Sequence, residues 1–372
     1  MSTKKFFPAL VLTAAALAAC GGGAAAPASS SPPAASPAAS AAASAKPAGS
    51  AAASAKPAAS GPASAKPAVS PASGKLVTSF SELYEGQTPV WVTQDAGIFK
   101  QNGLNVEQDY IASSNVIAAL VSGQVAVAQG GGSEALSAAA GGADLVVIGN
   151  IVPVYPYVLE VAKDVTSVAD LKGKKIGVSS FGSASDIATR VALKKVGINP
   201  DKDVSIIPVG SSTNRSAALA SGAIQGGMDQ PPSSYKLEQL GLHPLFDMAS
   251  LKLPTVNNGI VVQRAWLNSH RDIAQKYVDS IVQGIARSKK DQPFAAQTLA
   301  KYMKLSDTSA ATKAVAYADA NLFPSSPDIK LDGFTDSVAV LSAKNPNVKN
   351  FDVNKIIDNS LVQSAVQRGL AK

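Results

Sequence analysis

Past Lys75 the chain alternates short β-branched runs with stretches whose apolar residues return every three or four positions. Val125–Gln129, Leu145–Ile148, Lys175–Val178, Val204–Val209 and Asn258–Gln263 predict strands, and Asn115–Ser122, Ala184–Val196 and Arg215–Ser221 predict helices. Strand and helix taking turns predict an α/β fold. From Ala265 onward the pattern is mostly helical, over Arg271–Lys290, Pro293–Met303, Thr308–Leu322, Gly333–Ala343 and Asn354–Leu370. These helices are expected to pack on a finished sheet.

One internal correspondence shapes the picture further. Ser113-Ser114 precedes Ala118-Ala119-Leu120-Val121-Ser122-Gly123 and a strand ending near Gln129, and Ser211-Ser212 precedes Ala217-Ala218-Leu219-Ala220-Ser221-Gly222 and a strand ending near Asp229. The unit recurs ninety-nine residues later at its Ala-Ala-Leu core. Each copy reads as strand, hydroxyl-bearing N-cap, alanine-rich helix, glycine stop and another strand, which predicts two like-built lobes. In open α/β sheets ligands sit beyond the carboxyl ends of strands, where helix N-termini offer unpaired N–H groups. Both serine pairs are therefore expected to face a cleft between the lobes, with plain capping as their alternative role.

The first seventy-four residues have a different character. Lys4-Lys5, an apolar run from Phe6 to Ala19 and the small-residue site Leu17-Ala18-Ala19-Cys20 read as an export signal over 1–19. The run is shorter than the ~20 residues that span a bilayer as a helix. Leu-Ala-Ala-Cys resembles the lipobox of bacterial lipoproteins, which makes Cys20 the expected lipidation site; an ordinary secretory peptide is the alternative. Residues 20–74 are almost entirely Ala, Ser, Pro, Gly and Lys, a composition that cannot form a core. Their ten-residue period, in AAASAKPAGS, AAASAKPAAS and GPASAKPAVS, and nine prolines predict a tether. Its reach lies between ~40 Å as a coil and ~160 Å as polyproline II.

Composition then removes several function classes. One cysteine and two histidines exclude a disulfide framework and a multi-histidine metal site. The formal charge of +7 includes five lysines before residue 75 and no acidic residue before Glu82, so residues 75–372 carry 7 − 5 = +2. Nucleic acid is thus not an expected partner. There is no HExxH, CxxC or phosphate-binding P-loop, and Gly130-Gly131-Gly132-Ser133 lacks the GxGxxG spacing, reading instead as a ligand loop of backbone amides. His243 and His270 stand at polar punctuation sites, so the serine-rich segments lack an obvious base. No enzymatic activity, cofactor or metal is expected.

What remains suits a cleft that holds something polar. Ser183-Ala184-Ser185-Asp186, after the turn Ser179-Ser180-Phe181-Gly182, is a capping-box-like helix start whose amides can take a ligand oxygen. Asp186 opposes a full negative charge there, with Arg190 one turn later to compensate. Glu82 also argues against a purely anion-seeking pocket and permits an amine or hydroxyl donor. Tyr84, Tyr155 and Phe181 are candidate apolar walls, with core packing as the alternative.

VWVTQDAGIFKQNGLNVE from Val90, AALVSGQVAVAQGG from Ala118, VADLKGKKIGVSSFGSASD from Val168, AALASGAIQGGMDQPP from Ala217 and FDVNKIIDNSLVQSAV from Phe351 resemble, in order, the bacterial solute-binding proteins of the nitrate, sulfonate and bicarbonate type, a family that includes thiamine-pyrimidine-related proteins. The resemblance implies a two-lobed type II periplasmic-binding-protein fold with a ligand cleft between the lobes and a helical C-terminal part. It implies lobe one at 75–158 and 258–372, lobe two at 159–257, and hinged closure on the ligand. It implies a monomer that delivers a small-molecule solute to an ABC permease with a separate ATPase, held to the membrane by its lipid outside the cytoplasm. A ligand-sensing lipoprotein serving a receptor is the alternative, and a thiamine-pyrimidine-type enzyme is disfavoured because Cys20 is the sole cysteine. The ligand-binding residues implied by the resemblance are Ser81, Glu82, Tyr84, Ser113, Ser114, Gly131, Gly132, Ser133, Ser180, Phe181, Gly182, Ser183, Asp229 and Gln230, to which the serine-pair reading adds Ser211 and Ser212. Arg215 is a candidate anion partner, with a surface position as the alternative, and the lack of an arginine cluster sets the chain apart from a sulfonate clamp.

Overall fold

A computed structural model describes residues 74–372. Cys20 and the tether lie outside the described residues. The chain runs β1 (Leu76–Phe80), α1 (Thr88–Asp95), α2 (Ile98–Gln101), β2 (Val106–Tyr110), α3 (Val116–Ser122), β3 (Val127–Gly130), α4 (Gly132–Ala140), β4 (Leu145–Asn150) and β5 (Val158–Val161). It continues with β6 (Lys175–Val178), α5 (Ala184–Lys195), β7 (Ser205–Pro208), α6 (Ser212–Ala220), β8 (Gly226–Asp229), α7 (Ser233–Gln239), β9 (His243–Asp247) and β10 (Gly259–Gln263). Helices follow: α8 (Arg264–Ser269), α9 (Arg271–Lys290), α10 (Gln292–Tyr302), α11 (Thr308–Asn321), α12 (Thr335–Leu341), α13 (Pro346–Lys349) and α14 (Ser360–Gln367).

The strands form two five-stranded sheets, ordered β2-β1-β3-β10-β4 and β7-β6-β8-β5-β9. In each, three parallel strands are followed by one antiparallel strand lent by the other half of the chain: β10 returns to the first sheet, and β5 has crossed into the second. The fold is thus α/β with two like-built sheets. The ninety-nine-residue correspondence extends well beyond the Ala-Ala-Leu core, because Leu76 and Lys175, Val106 and Ser205, and Val127 and Gly226 open equivalent strands at that same offset. Between the sheets the two connections lie side by side: Thr255 N donates to Pro153 O at 2.9 Å, Asn257 N to Val152 O at 3.2 Å, and Val154 bridges Pro254 antiparallel.

Burial follows the pattern of apolar positions. One core cluster joins Leu120, Leu136 and Val147 from around the first sheet to Leu159, Ile176, Ile187 and Met228 from around the second, with Phe334 and Leu341 wedged among them. A second cluster packs α9 and α14 on the other face of the first sheet through Tyr277, Val278, Ile281 and Leu361. A third seats α10 and α11 against α1, where the Trp91 ring stacks on Tyr302 at 4.9 Å.

Two expectations need correction. Ser211 caps α6 by accepting from Asn214 N, but Ser113 and Ser114 do not cap α3. There Ala112 O accepts from both Asn115 N and Val116 N, so a backbone turn replaces the hydroxyl. Asn354–Leu370 is not one helix. A 3-10 turn at Val353–Ile356 ends where Ile357 bridges Val147 and Asp358 N donates to Val147 O at 3.0 Å, and α14 begins only after that non-local pairing.

Candidate functional site

The carboxyl ends of β1 and β8 and the connections between the sheets bring a polar cluster together. Glu82, just past β1, is buried, and Gln230, just past β8, donates through Nε2 to Glu82 Oε2 at 3.0 Å. Beside them Asp229 accepts from Gln230 N at 2.7 Å and from Ser216 Oγ at 2.5 Å. A main-chain bond runs alongside, from Glu85 N to Pro231 O at 3.1 Å. Tyr84 is buried and its hydroxyl accepts from Asn257 Nδ2 at 3.3 Å, while Asn258 Nδ2 donates to Gln87 Oε1 at 2.9 Å. Gln87 in turn donates to Gln129, whose amide donates to Tyr277 at 2.7 Å, so this wall is held by a relay of amides.

Arg215 is fully buried, which settles the alternative of a surface position against it. Its stem lies over β8 because Gly227 has no side chain: a Cβ there would stand 3.2 Å from Arg215 Cγ. The guanidinium donates through Nε to Met228 O and through Nη1 to Ser179 Oγ at 2.9 Å, and Nη2 has no partner. Its charge acts on Glu82, Asp229 and Tyr157.

Other buried polar atoms of the cluster are also unpartnered: Ser79 Oγ, both carboxylate oxygens of Glu85, Tyr157 Oη and Asn257 Oδ1. Burial pushes the carboxyls of Glu82 and Asp229 above the usual range, with Arg215 pulling the other way, and pushes Glu85 well above it. Orphaned buried groups of this kind cost free energy until something pairs with them.

Glu134, in the first turn of α4, reaches the start of α5: Ala184 N donates to its Oε1 at 3.2 Å and Ser133 Oγ to its Oε2 at 2.7 Å. Burial raises its carboxyl too. The N-terminus of α5 is otherwise used internally. Ser183 caps it, Gly182 N donates to Asp186 Oδ2 at 2.8 Å, and Asp186 pairs with Arg190 Nε at 2.8 Å.

Of the residues named from sequence, Glu82, Tyr84, Asp229 and Gln230 meet in the cluster, Ser133 joins it through Glu134, and Ser211 is spent on capping α6. Ser81 is half-buried beside Glu82, and Ser212 borders a groove of about 190 Å³ with Leu83, Ser216 and Lys236. Ser114 is exposed, Ser113 lies in the turn before α3, and Phe181 is exposed under the Lys344 ammonium at 5.2 Å. Ser180 and Ser183 bond each other within their turn, and Gly182 rests against Leu341. Nor is the glycine loop a free amide cradle. Gly132 N donates to Val256 O at 2.7 Å, Val256 and Phe334 close over that glycine, and Gly131 leaves room for Glu134. The Tyr155 hydroxyl is engaged by Asp336 at 3.0 Å, and Tyr157 is the tyrosine on which the charges of Glu82 and Arg215 act. Sequence reasoning missed Glu85, Glu134 and Tyr157. Glu85 and Glu134 had a signal, each standing next to a residue already singled out.

Solved structures share this fold. The alkanesulfonate-binding protein SsuA from Xanthomonas axonopodis pv. citri bound to MOPS is 19% identical, with a TM-score of 0.62 over 78% of this chain and 97% of its own. The periplasmic nitrate-binding protein NrtA from Synechocystis PCC 6803 is 13% identical, with a TM-score of 0.62 over 79% and 89%. The desulfurization enzyme DSZB is 15% identical, with a TM-score of 0.58 over 79% and 100%. At these identities the likeness is one of fold, and a fold shared by carriers and an enzyme does not choose between them. No curated protein matches the sequence. The NMT1/THI5-like family model matches residues 86–294, more than half of the chain and spanning both sheets, and the chain belongs to that family.

Proposed function

We propose that this chain is an extracytoplasmic solute-binding lipoprotein. It captures a small polar solute between two lobes, 75–158 with 258–372 and 159–257, and hands it to an ABC permease driven by a separate ATPase. The observation that carries this reading is the polar cluster. Residues flanking both sheets contribute to it, and Arg215, Glu85, Tyr157 and Ser79 keep unpaired polar atoms there. A solute that pairs with them ties the lobes together, and a partner can read that closed form. The paired connections at Pro153–Thr255 and Val152–Asn257 suit a hinge. The family membership, and a fold shared with proteins named for binding alkanesulfonate and nitrate, are consistent with the carrier reading, and the sole cysteine, Cys20, is what disfavours a thiamine-pyrimidine-type enzyme. The export signal, Cys20 and the proline-rich tether supply the lipid attachment and the reach.

Thermal unfolding of the full-length chain against a panel of sulfonates, nitrate, bicarbonate, aromatic acids, pyrimidines and amines tests the reading. A true ligand at a hundred times its Kd adds about 2.7 kcal/mol to the folded state and raises the melting temperature by several degrees. A chain that answers no solute, and releases none when denatured, is not a binding protein.

A further inference from the structure

We propose that the cleft selects a small organic cation, a protonated amine or guanidinium, which the carboxylates of Glu82, Glu85 and Asp229 hold while Arg215 Nη2 reaches an acceptor oxygen on the same solute. This rests on the solute-binding reading above and deepens it by naming the charge of the solute.

Two independent observations carry the inference. The first is Glu85. It opens the 3-10 turn Glu85–Gln87, has no exposed surface, and leaves both carboxylate oxygens without a partner. The charges acting on it, from Asp229, Glu82 and Asp247, are all of its own sign. Unpaired, this buried carboxyl stays protonated, and a cationic N–H group that the chain does not itself provide lets it ionise as a hydrogen-bonded pair. Tyr157 Oη and Ser79 Oγ, also unpartnered and buried, are acceptors for further N–H groups on such a solute.

The second is the fate of the place an anion would take. A helix N-terminus beside a cleft attracts oxyanions, and α5 is long enough to do so. Here Glu134 fills that position from the opposite side, accepting from Ala184 N at 3.2 Å, and Asp186 occupies Gly182 N. A nitrate or sulfonate entering the cleft meets Glu82, Glu85, Glu134 and Asp229 against the single guanidinium of Arg215. A bare metal ion is a poorer candidate than an organic cation, because among the described residues no group of three or more His, Cys, Asp or Glu is arranged to hold one.

The test is binding to the full-length chain, followed by thermal shift and calorimetry, with three sets of probes. Ethanolamine, tyramine and glycinamide are the cations; nitrate, bicarbonate and propanesulfonate the anions; cytosine and glycerol the neutral solutes. The small molecules released on denaturing the purified chain are identified in parallel by mass spectrometry. The expected result is a response confined to cations, or a released solute of positive charge, with affinity at least tenfold weaker in Glu85→Gln. If Glu85→Gln does not fold, Glu82→Gln carries the same comparison. A response confined to anions or neutral solutes, or an affinity for cations unchanged by these substitutions, overturns the proposal and leaves the carrier reading standing. No response from any set and no released solute overturns both.

Discussion

Glu160 illustrates how a single residue in this fold links stability to pH. It lies on β5 with no exposed surface and no partner for either carboxylate oxygen, and burial, reinforced by the Glu238 and Asp229 charges, pushes its carboxyl up to about 8. Below the usual carboxylic range the group is protonated whether the chain is folded or not, and it costs nothing. As the pH rises toward 8 the unfolded chain releases the proton while the folded one retains it, so stability falls, and the loss levels off above that value. Glu160→Gln removes this dependence. Denaturant melts of the two proteins should diverge from pH 5 to pH 8 by on the order of 3 kcal/mol in favour of the variant, apart from a constant offset for the new amide. Parallel pH profiles would show that Glu160 is paired in solution. Sequence alone exposes little of this, because a glutamate in Val-Leu-Glu-Val reads as the polar face of an edge strand, whereas β5 sits between β8 and β9. Arg215 was ambiguous for a similar reason: a helical arginine buries itself here only because Gly227 leaves space on the neighbouring strand.

At the scale of elements, the repeat explains why the strands were readable. Gly123 closes α3 at φ +77° and Gly222 follows α6 at φ +75°, equivalent stops in the two copies. Nothing lies within 4 Å of where a Cβ would be at Gly222, so it is the left-handed backbone that calls for glycine there. Gly123→Ala and Gly222→Ala should each cost about 1 kcal/mol in denaturant unfolding, roughly additively, since they sit in different sheets' helices. A neutral result at both would mean that the stops relax to another conformation. Local patterns were enough for these units and for α9, whose predicted range Arg271–Lys290 is the observed one. They failed at Asn354–Leu370, where Ile357 pairs with Val147 more than two hundred residues earlier in the chain. Periodicity carries no trace of such a partner.

At the scale of the molecule, the two sheets are joined by more than their connections. α4, α5 and α12 bring Leu136, Ile187 and Leu341 into one core cluster that runs from the first sheet to the second, and Glu134–Ala184 and Glu82–Gln230 add polar bonds across the cleft. On the proposed reading, opening the cleft has to part these contacts, so the closed arrangement has internal support and a solute would add to it by filling the unpaired sites. Small-angle scattering of the purified chain, stripped of solute, should give a larger radius of gyration than the same chain at saturating ligand. Equal radii would mean that solute enters without hinge motion. Among the described residues no helix is long and apolar enough to cross a membrane, so the proposed attachment rests on Cys20, which lies outside them.

The sequence by itself determined the α/β class, the duplicated unit, the helical C-terminal third, the family resemblance and four members of the cluster, because each of these is written in local spacing or in motifs that keep their order along the chain. Tertiary structure alone decided which polar residues face one another. Glu85, Tyr157 and Arg215 come from segments up to 130 residues apart, and their significance lies in which atoms remain unpaired once β5 and β10 have crossed between the sheets. A side chain's charge can be read from its letter; whether that charge is answered depends on neighbours that only the folded chain brings together.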